Sequence, residues 1–175
     1  MNNQSVYRIV LTGPESTGKS ILSEKLANHF KTEFIPEYAR TYIENLNRPY
    51  EYDDLLKIAS QQVVDVLHYE AMSDKYLFLD TWLHITKIWF MEVYGSYPPW
   101  IDDNIDAIPI DLYLLCYPDM PWEPDPVREN EDKREYLFQL YLKEIENTGI
   151  PYHIIKGLND ERTNNAIDII EDFFS

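Results

Sequence analysis

The chain has one cysteine, few basic residues and no long apolar run, and each shortage excludes a class of protein. Cys116 is the only thiol among 175 residues, so an intramolecular disulfide is impossible. The 15 Lys and Arg residues stand against 31 Asp and Glu residues, which gives a formal net charge of −16 at pH 7. Such a surface repels nucleic acid and anionic membrane unless basic residues form one patch, and the sequence shows no such patch. We therefore expect neither nucleic acid nor a membrane as a partner.

The chain also lacks the segments that direct a protein into a membrane. No apolar run approaches the roughly 20 residues that span a bilayer. The first residues, MNNQS, have neither the basic nor the apolar stretch of a signal peptide. We therefore expect a cytoplasmic protein. The sequence leaves the choice between a monomer and a homo-oligomer open.

The composition supplies material for one packed interior. Apolar residues make up 45% of the chain, and 175 residues fit a single domain. Short apolar runs alternate with longer amphipathic stretches, which is typical of a parallel sheet with crossover helices. We predict five strands, at 6–12, 33–36, 76–79, 111–116 and 152–156. Helical patterns lie at 18–31, 37–46, 53–74, 82–94, 132–147 and 160–174.

Two proline-rich segments interrupt this alternation, and both are predicted to be ordered loops. The first runs from Gly95 to Asp111. The second runs from Pro118 to Arg134 and carries four of the 11 prolines. Each contains aromatic residues that can anchor it to the core. The last helix is expected to be capped by Asn159 or Asp160.

The segment GPESTGKS, residues 13–20, is predicted to be a phosphate loop. It matches G-x-x-x-x-G-K-[ST] and stands between a predicted strand and a predicted helix. Its glycines let backbone N–H groups point at a β-phosphate, and the following helix offers the positive end of its dipole. Lys19 is expected to reach the β and γ phosphates, and Ser20 to ligate Mg²⁺. The candidate ATP-binding residues are Gly13, Glu15, Ser16, Thr17, Gly18, Lys19, Ser20 and Ile21.

Asp80 is the candidate acidic group of the site. A P-loop protein needs a carboxylate to hold magnesium or to take a proton from the attacking oxygen. Asp80 closes the run KYLFLD, at the edge where open α/β sheets bind their ligands. We predict a catalytic and metal-binding role for it, and an N-cap of the helix starting near Trp82 is the alternative.

The second proline-rich segment, 118–134, is the candidate lid. Kinases of this architecture close such a segment over the nucleotide, which brings arginines onto the developing charge. Arg128 and Arg134 are the candidates to contact ATP. Surface ion pairs with neighbouring acidic residues are the competing explanation.

Taken together, these motifs resemble the nicotinamide riboside kinase domain of the NadR family of bacterial NAD regulators and its stand-alone P-loop relatives. The matching pieces cover nearly the whole chain in the family's order. They are GPESTGKS, PEYAR at 36–40, KIASQQ at 57–62, FLDT at 78–81, PW at 121–122 with Asp125 and Arg128, and GLNDER at 157–162. The resemblance implies a three-layer α/β P-loop kinase fold, with a parallel sheet of about five strands between helices.

The resemblance also implies a reaction, the Mg²⁺-dependent transfer of the γ-phosphoryl group of ATP to the 5′-hydroxyl of a nucleoside. Nicotinamide riboside is the leading acceptor. Lys19, Asp80 and Arg128 carry the catalytic roles, and Ser20 and Asp80 hold the metal. GLNDER is the candidate adenine contact. The acceptor pocket is expected to contain Glu37, Tyr38, Arg40, Gln62, Asp80, Trp82 and Trp122.

Two positions depart from the family pattern and leave the acceptor open. Pro36 stands where relatives carry an aromatic residue before E-Y-G-R, so a ring that would stack on nicotinamide is missing. Tyr38, Trp82 or Trp122 could supply that face instead. Trp82 also replaces the second acid of D-T-D, which leaves Asp80 as the one obvious carboxylate there. The choice between ATP and GTP is open as well.

Other side chains receive structural explanations. The histidines have no metal-ligand spacing, and His84 alone deserves a test because it lies one helical turn after Asp80. The acidic residues Asp102, Asp103 and Asp106 are expected to be solvated, with recognition of a cationic substrate as the alternative. The stripe Trp82, Ile85, Ile88 and Trp89 predicts a buried helical face, with exposure of Trp82 alone to the pocket as the alternative.

A nucleotide-dependent switch or binding module is the alternative function. It would hydrolyse ATP or GTP slowly and would have no small-molecule acceptor. The phosphate loop would be the same, but the EYAR and FLDT segments favour a kinase. A guanine-specific switch would also show an N-K-x-D sequence, which is absent. The adenylyltransferase and helix-turn-helix segments of longer relatives have no counterpart in these residues, so operator binding is not expected.

Overall fold

The computed structural model describes residues 6–125, 128 and 130–175. Three positions of the predicted lid, 126, 127 and 129, lie outside the described residues. In the described part of the chain, no helix is both long enough and apolar enough to cross a membrane.

Five parallel strands form one sheet, in the order β2-β3-β1-β4-β5. This confirms the predicted strand number and the parallel arrangement. Leu11 of the central strand pairs with Asp80 at the end of β3. The segments that follow β1 and β3 therefore emerge side by side at the carboxyl edge of the sheet. The strands are β1 (Tyr7–Thr12), β2 (Phe34–Ile35), β3 (Tyr76–Asp80), β4 (Leu112–Cys116) and β5 (Tyr152–Ile155).

Helices cover both faces of the sheet, as the α/β pattern predicts. Alternate strand residues point to opposite faces: Val10 and Leu79 join one buried cluster, and Leu11 and Phe78 join the other. The first cluster packs against α3 to α6, and the second against α1 and α7. The helices are α1 (Lys19–Phe30), α2 (Tyr38–Glu44), α3 (Tyr52–Glu70), α4 (Leu83–Tyr94), α5 (Trp100–Ala107), α6 (Arg134–Thr148) and α7 (Asn159–Phe173).

The prediction of a loop over residues 95–111 is wrong, because the segment contains α5. Pro99 is its N-cap residue, and the Pro99 carbonyl accepts a hydrogen bond from the N–H of Asp102 at 3.0 Å. Ile101 is fully buried, and Asp102 pairs with Lys87 of α4 at 3.0 Å. Proline fixes the φ angle that the start of a helix requires, so the proline density marks a helix beginning rather than a loop.

The predicted caps of the last helix are also wrong. Leu158 is the N-cap residue of α7, and no side chain caps that helix end. Asn159 is the first residue of α7 and has a φ of 51°, in the left-handed region. Asparagine tolerates this left-handed conformation better than most residues, which explains why the chain turns there.

A buried carboxylate fixes the pair of helices α2 and α3. Asp54 accepts hydrogen bonds from Arg48 at 2.6 Å and from the Tyr42 hydroxyl at 2.8 Å. It also caps α3 by accepting the N–H of Glu51 at 2.8 Å. The hydrogen bond from Arg48 is the main cause that lowers the pKa of Asp54 well below its ordinary value. This network holds in place the two helices that carry three of the predicted acceptor residues, Tyr38, Arg40 and Gln62.

Candidate active site

The phosphate loop joins β1 to α1 by a tight turn. Gly18 is the N-cap residue of α1 and has a φ of 73°, which glycine adopts without steric cost. Within the loop, the Thr17 hydroxyl and the Lys19 ammonium both donate to the carbonyl of Pro14, at 2.8 and 2.9 Å. The side chain of Lys19 therefore lies against the phosphate loop, where the β and γ phosphates of ATP are predicted to bind.

Gly13 starts the loop at a point where no side chain fits. Its φ is 144°, and a Cβ atom there would lie 2.6 Å from the carbonyl oxygen of Cys116. We expect Gly13→Ala to lower the free energy of unfolding by about 2–4 kcal/mol, through steric overlap and backbone strain together. Urea denaturation measures this loss.

Gly149 offers a matched control for this substitution. It also has a positive φ, 70°, but nothing lies within 4 Å of a Cβ atom built there. Gly149→Ala should therefore cost only the backbone term, about 1 kcal/mol. Equal losses in the two variants would contradict the close packing of the loop against β4.

Arg162 connects the phosphate loop to the ends of β4 and β5, a role that sequence reasoning missed. Its buried guanidinium donates to the carbonyls of Thr17 at 3.2 Å and Tyr117 at 3.1 Å. It also pairs with the carboxylate of Asp119, which accepts the N–H of Gly157. Thr17 lies 145 residues away in the chain, so no local pattern signals this contact. The segment 157–162 thus braces the loop, whereas its predicted adenine contact stays a prediction.

Asp80 lies directly beside the phosphate loop. The Ser20 hydroxyl donates to its Oδ2 at 2.5 Å. Oδ1 is buried and has no hydrogen-bond partner among the described residues. Burial raises the pKa of Asp80, and the nearby Lys19 opposes that shift. Trp82 is the N-cap residue of α4, with no side-chain cap, so the alternative role of Asp80 as a helix cap is excluded.

A strained residue follows Asp80. Thr81 has a φ of 77°, which is rare for a β-branched side chain, and its N–H donates to the carbonyl of Leu11 at 2.9 Å. Strained backbone of this kind clusters at functional sites, where the surrounding structure holds it in place. Here it turns the chain from β3 into α4 and sets the directions of Asp80 and Trp82.

The carboxyl groups of Glu37 and Asp80 interact electrostatically. It is the N-cap residue of α2, just beyond the end of β2. Burial, followed by the negative charge of Asp80, raises the pKa of Glu37 to about 7, against the opposing effects of Lys19 and Arg40. Glu37 and Asp80 therefore belong to one acidic site next to Lys19.

A narrow cleft with a volume of only about 10 Å³ opens beside Asp80, between the ends of β2 and β3 and the helices α2 and α3. The predicted acceptor residues Tyr38, Gln62, Asp80 and Trp82 line it. The Gln62 side-chain carbonyl accepts the hydroxyl of Thr86 at 2.8 Å, which fixes its orientation. The structure thus brings these residues together at one edge of the sheet. The cleft also contains Pro36 and Asp65, and the sequence analysis gave Asp65 no role.

Two other predicted acceptor residues lie away from the cleft: Arg40 contacts the predicted lid, and Trp122 belongs to it. Arg40 forms ion pairs with Asp125 and, at 3.0 Å, with Glu44. The ring of Trp122 lies 5.8 Å from the guanidinium carbon of Arg134, a cation–π arrangement. Arg40 therefore links the acceptor side of the site to the lid, and Trp122 lies on the nucleotide side.

The lid is attached to the phosphate loop by direct hydrogen bonds. The N–H of Glu123 donates to the Ser16 hydroxyl at 2.9 Å, and the N–H of Asn130 donates to the Glu15 carboxylate at 3.0 Å. Arg134 donates to the carbonyl of Ser16 at 3.3 Å. These contacts place Glu15, Ser16 and Arg134 at one junction between lid and loop.

Arg128 occupies a different place from Arg134. Its guanidinium donates to the carbonyl of Glu123 at 2.6 Å, within the lid itself. The predicted contact between Arg128 and ATP therefore stays a prediction. The short 3-10 helix Glu131–Lys133 then leads into α6.

His84 and Asp102 have structural roles. His84 is buried, and its Nδ1 is hydrogen bonded to the hydroxyl of Tyr113. Burial lowers the pKa of His84 to about 4, so its ring is neutral at pH 7. The Asp102 carboxylate forms an ion pair with Lys87 and accepts a hydrogen bond from the Tyr97 hydroxyl at 2.9 Å. Neither residue lines the cleft.

The residues at the loop fit a magnesium ion. Ser20 and Asp80 present hydroxyl and carboxylate oxygens, the ligand type that Mg²⁺ prefers, and Asp80 Oδ1 is a buried oxygen without a described partner. Among the described residues, no group of three His, Cys, Asp or Glu side chains could hold a metal ion. A magnesium site formed with substrate phosphates needs only one or two protein ligands, so it requires no such group.

Comparison with known families also supports the assignment of residues 13–20 as a phosphate loop. A family described as an AAA domain matches residues 8–162, nearly the whole described chain. The chain belongs to this AAA domain family. The match begins in β1 and ends at Arg162, so it includes the phosphate loop, Asp80 and the cleft.

Two relatives confirm the resemblance that the motifs indicate. The trifunctional NAD biosynthesis/regulator protein NadR of Salmonella typhimurium is 26% identical over 176 residues, which cover 95% of this chain. NadR of Escherichia coli is 29% identical over 154 residues, which cover 84% of this chain. The matches span 42% and 37% of those proteins, so this AAA domain corresponds to less than half of each.

Solved structures confirm the fold. A NadR protein in complex with NR matches with a TM-score of 0.86 at 23% identity, over 97% of this chain and 52% of that one. NadR in complex with NAD and AMP-PNP gives 0.81 at 22% identity, over 97% and 50%. Deoxyadenosine kinase from M. mycoides gives 0.67 at 14% identity, over 94% and 99%. The fold of this AAA domain is therefore that of P-loop nucleoside kinases.

Proposed function

We propose that residues 1–175 form a single P-loop kinase domain that transfers the γ-phosphoryl group of ATP to the 5′-hydroxyl of a nucleoside, with nicotinamide riboside as the leading acceptor. One observation carries the proposal: the phosphate loop, the buried carboxylate of Asp80 and the acceptor cleft meet at one edge of the sheet. A switch needs the loop, but it has no need of a cleft at Asp80. The NadR relatives and the NR and AMP-PNP in their structures support the choice of substrates.

In this mechanism the chain positions two substrates and stabilises charge. Backbone N–H groups of the loop and the ammonium of Lys19 bind the phosphates of ATP. The cleft would have to widen to admit the nucleoside, whose 5′-hydroxyl would then lie near Asp80, so that attack on the γ-phosphorus is in line. Mg²⁺, bound through Ser20 and Asp80, would supply charge neutralisation of the phosphates.

Glu37 and Asp80 are the candidates to accept the proton of the nucleoside 5′-hydroxyl. Both carboxyl groups have raised pKa values, mainly because of burial. A carboxyl group with a pKa near neutrality can take a proton efficiently at physiological pH. Glu37 can also accept hydrogen bonds from ribose hydroxyl groups, which is the role that its motif implies.

The lid completes the site by excluding water. Arg134 already contacts the phosphate loop. Arg128 would contact the phosphates of ATP if the lid moved further toward the loop. Guanidinium groups placed on the transferring phosphoryl group stabilise the charge that develops there. The ion pair between Arg40 and Asp125 would couple that closure to the acceptor side.

A panel of acceptors tests this function. The protein is incubated with Mg·ATP or Mg·GTP and with nicotinamide riboside, adenosine, cytidine, thymidine or no nucleoside, and the release of nucleoside diphosphate is followed. We expect rapid release only with a nucleoside acceptor, and nicotinamide riboside should give the highest kcat/KM. The same slow release with every acceptor would favour the switch and would contradict the kinase.

A further inference from the structure

The walls of the acceptor cleft carry negative charge and no positive charge. Asp65 of α3 and Asp80 of β3 both line the cleft, and none of its lining residues is Lys, Arg or His. The rest of the lining is neutral, with Gln62 and Tyr38 as polar members. A charge placed in a partly dehydrated cleft interacts more strongly than one in bulk water. The lining therefore favours a cation over an anionic group, while Lys19 and Arg40 act on Asp80 from outside the lining.

The same cleft contains polar atoms that lack partners within the protein. Asp80 is 2% exposed, and its Oδ1 has no hydrogen-bond partner among the described residues. Trp82 is 1% exposed, and its Nε1 likewise has none. An unpaired buried polar atom costs free energy, so such atoms mark places where a ligand supplies the missing partner. The Trp82 donor thus lacks a partner at this cleft, and the Asp80 acceptor is shared between the cleft and the magnesium position.

Asp65 is well placed to contribute a fixed charge. It lies one helical turn after Gln61, whose side-chain amide donates to Oδ1 at 2.7 Å. That bond restricts the carboxylate without neutralising it. Helix α3 is held to α2 by the hydrogen bond between Tyr42 and Asp54, and to α4 by the hydrogen bond between Thr86 and Gln62.

Aromatic groups complete a site for a flat cation. Tyr38 and Trp82 line the cleft on different elements, and the faces of such rings attract cations.

We propose that Asp65 is a specificity-determining residue, which selects nucleosides whose base carries a fixed positive charge. It acts by charge pairing across the cleft, while Asp80 and the phosphate loop serve the reacting end of the nucleoside. The inference rests on the proposed function, since it deepens the choice of acceptor.

A pair of matched nucleosides isolates the charge. Nicotinamide riboside has a cationic pyridinium ring, and benzamide riboside has a neutral phenyl ring with the same carboxamide. Asp65→Asn keeps the shape of the side chain but removes its charge. Asp53→Asn, at an exposed position in the first turn of the same helix, makes the same change in net charge outside the cleft.

Asp65→Asn should lower kcat/KM for nicotinamide riboside about tenfold, mainly through KM, as expected for loss of one partly screened charge pair. The kcat/KM for benzamide riboside should stay within about twofold, and Asp53→Asn should change neither substrate. An equal fall for both nucleosides would overturn the proposal, because a structural role would not distinguish them. No change for either would overturn it as well.

Binding measurements separate this inference from the proposed function. Calorimetric titration gives the Kd of each nucleoside without turnover. If wild type binds nicotinamide riboside more tightly than benzamide riboside and Asp65→Asn removes that difference, the charge selection stands even if no phosphoryl transfer occurs. If wild type phosphorylates both nucleosides with equal kcat/KM, the kinase stands and the charge selection is wrong.

Discussion

Lys19→Ala is expected to lower the rate of ATP turnover by about 10³-fold, which is the loss found when a preorganised charge at a transition state is removed. The ammonium of Lys19 lies on the phosphate loop, where it donates to the carbonyl of Pro14 at 2.9 Å. The backbone N–H groups of the loop would still bind the nucleotide in the variant. The rate of nucleoside diphosphate release at saturating ATP measures the effect.

Lys25→Ala provides the control for this substitution. Lys25 lies on the same helix, where it forms an ion pair with Asp160 at 3.0 Å. That pair is largely exposed, so its loss should change stability and turnover little. Both variants should keep the wild-type circular dichroism spectrum. Full activity of Lys19→Ala would remove the assignment of the phosphate loop.

Asp80→Asn is expected to lower turnover by at least about 10²-fold, whether the carboxylate holds magnesium or accepts a proton. The amide keeps the size of the side chain and can still accept the hydrogen bond that Ser20 donates at 2.5 Å. Only the charge is lost. Asp74→Asn, at an exposed position just before the other end of β3, should leave turnover unchanged.

The stability of the Asp80→Asn variant separates a catalytic role from a structural one. Burial raises the pKa of Asp80 above its ordinary value of 3.8, so the ionised form is less stable in the folded protein than in the unfolded chain. Wild-type stability should therefore fall as the pH rises through and above that ordinary value. The amide does not titrate, so without ligands the variant should equal or exceed wild type in stability at pH 7. A large loss of stability at pH 7 would contradict this account.

The parts of the fold that could be predicted from sequence are those with local periodic signals. The buried strands are short apolar runs, and the phosphate loop has a motif whose glycines are required by positive φ angles at Gly13 and Gly18. Asp80 could be found because a carboxylate that ends a buried strand is rare. Helix α5 was missed because Pro99 is compatible both with a loop and with the start of a helix.

The parts that could not be predicted depend on contacts between distant segments. Arg162 contacts Thr17 across 145 residues, and Asp65 lies at the cleft only because α3 packs beside β3. Asp65 lies in no motif. Arg162 ends the segment GLNDER, but nothing in the neighbouring sequence indicates which residues it contacts. Trp82 belongs to the predicted buried stripe and is 1% exposed, and it also lines the cleft, where the sequence left its exposure open.

The most direct test of the central claim is the identity of the product formed from Mg·ATP and nicotinamide riboside. Mass spectrometry and ³¹P nuclear magnetic resonance should show a nucleoside that has gained one phosphoryl group, joined as a monoester at its 5′-oxygen, together with an equal amount of ADP. Unchanged nicotinamide riboside beside ADP and inorganic phosphate would show hydrolysis without transfer to this nucleoside, and would contradict its assignment as the acceptor.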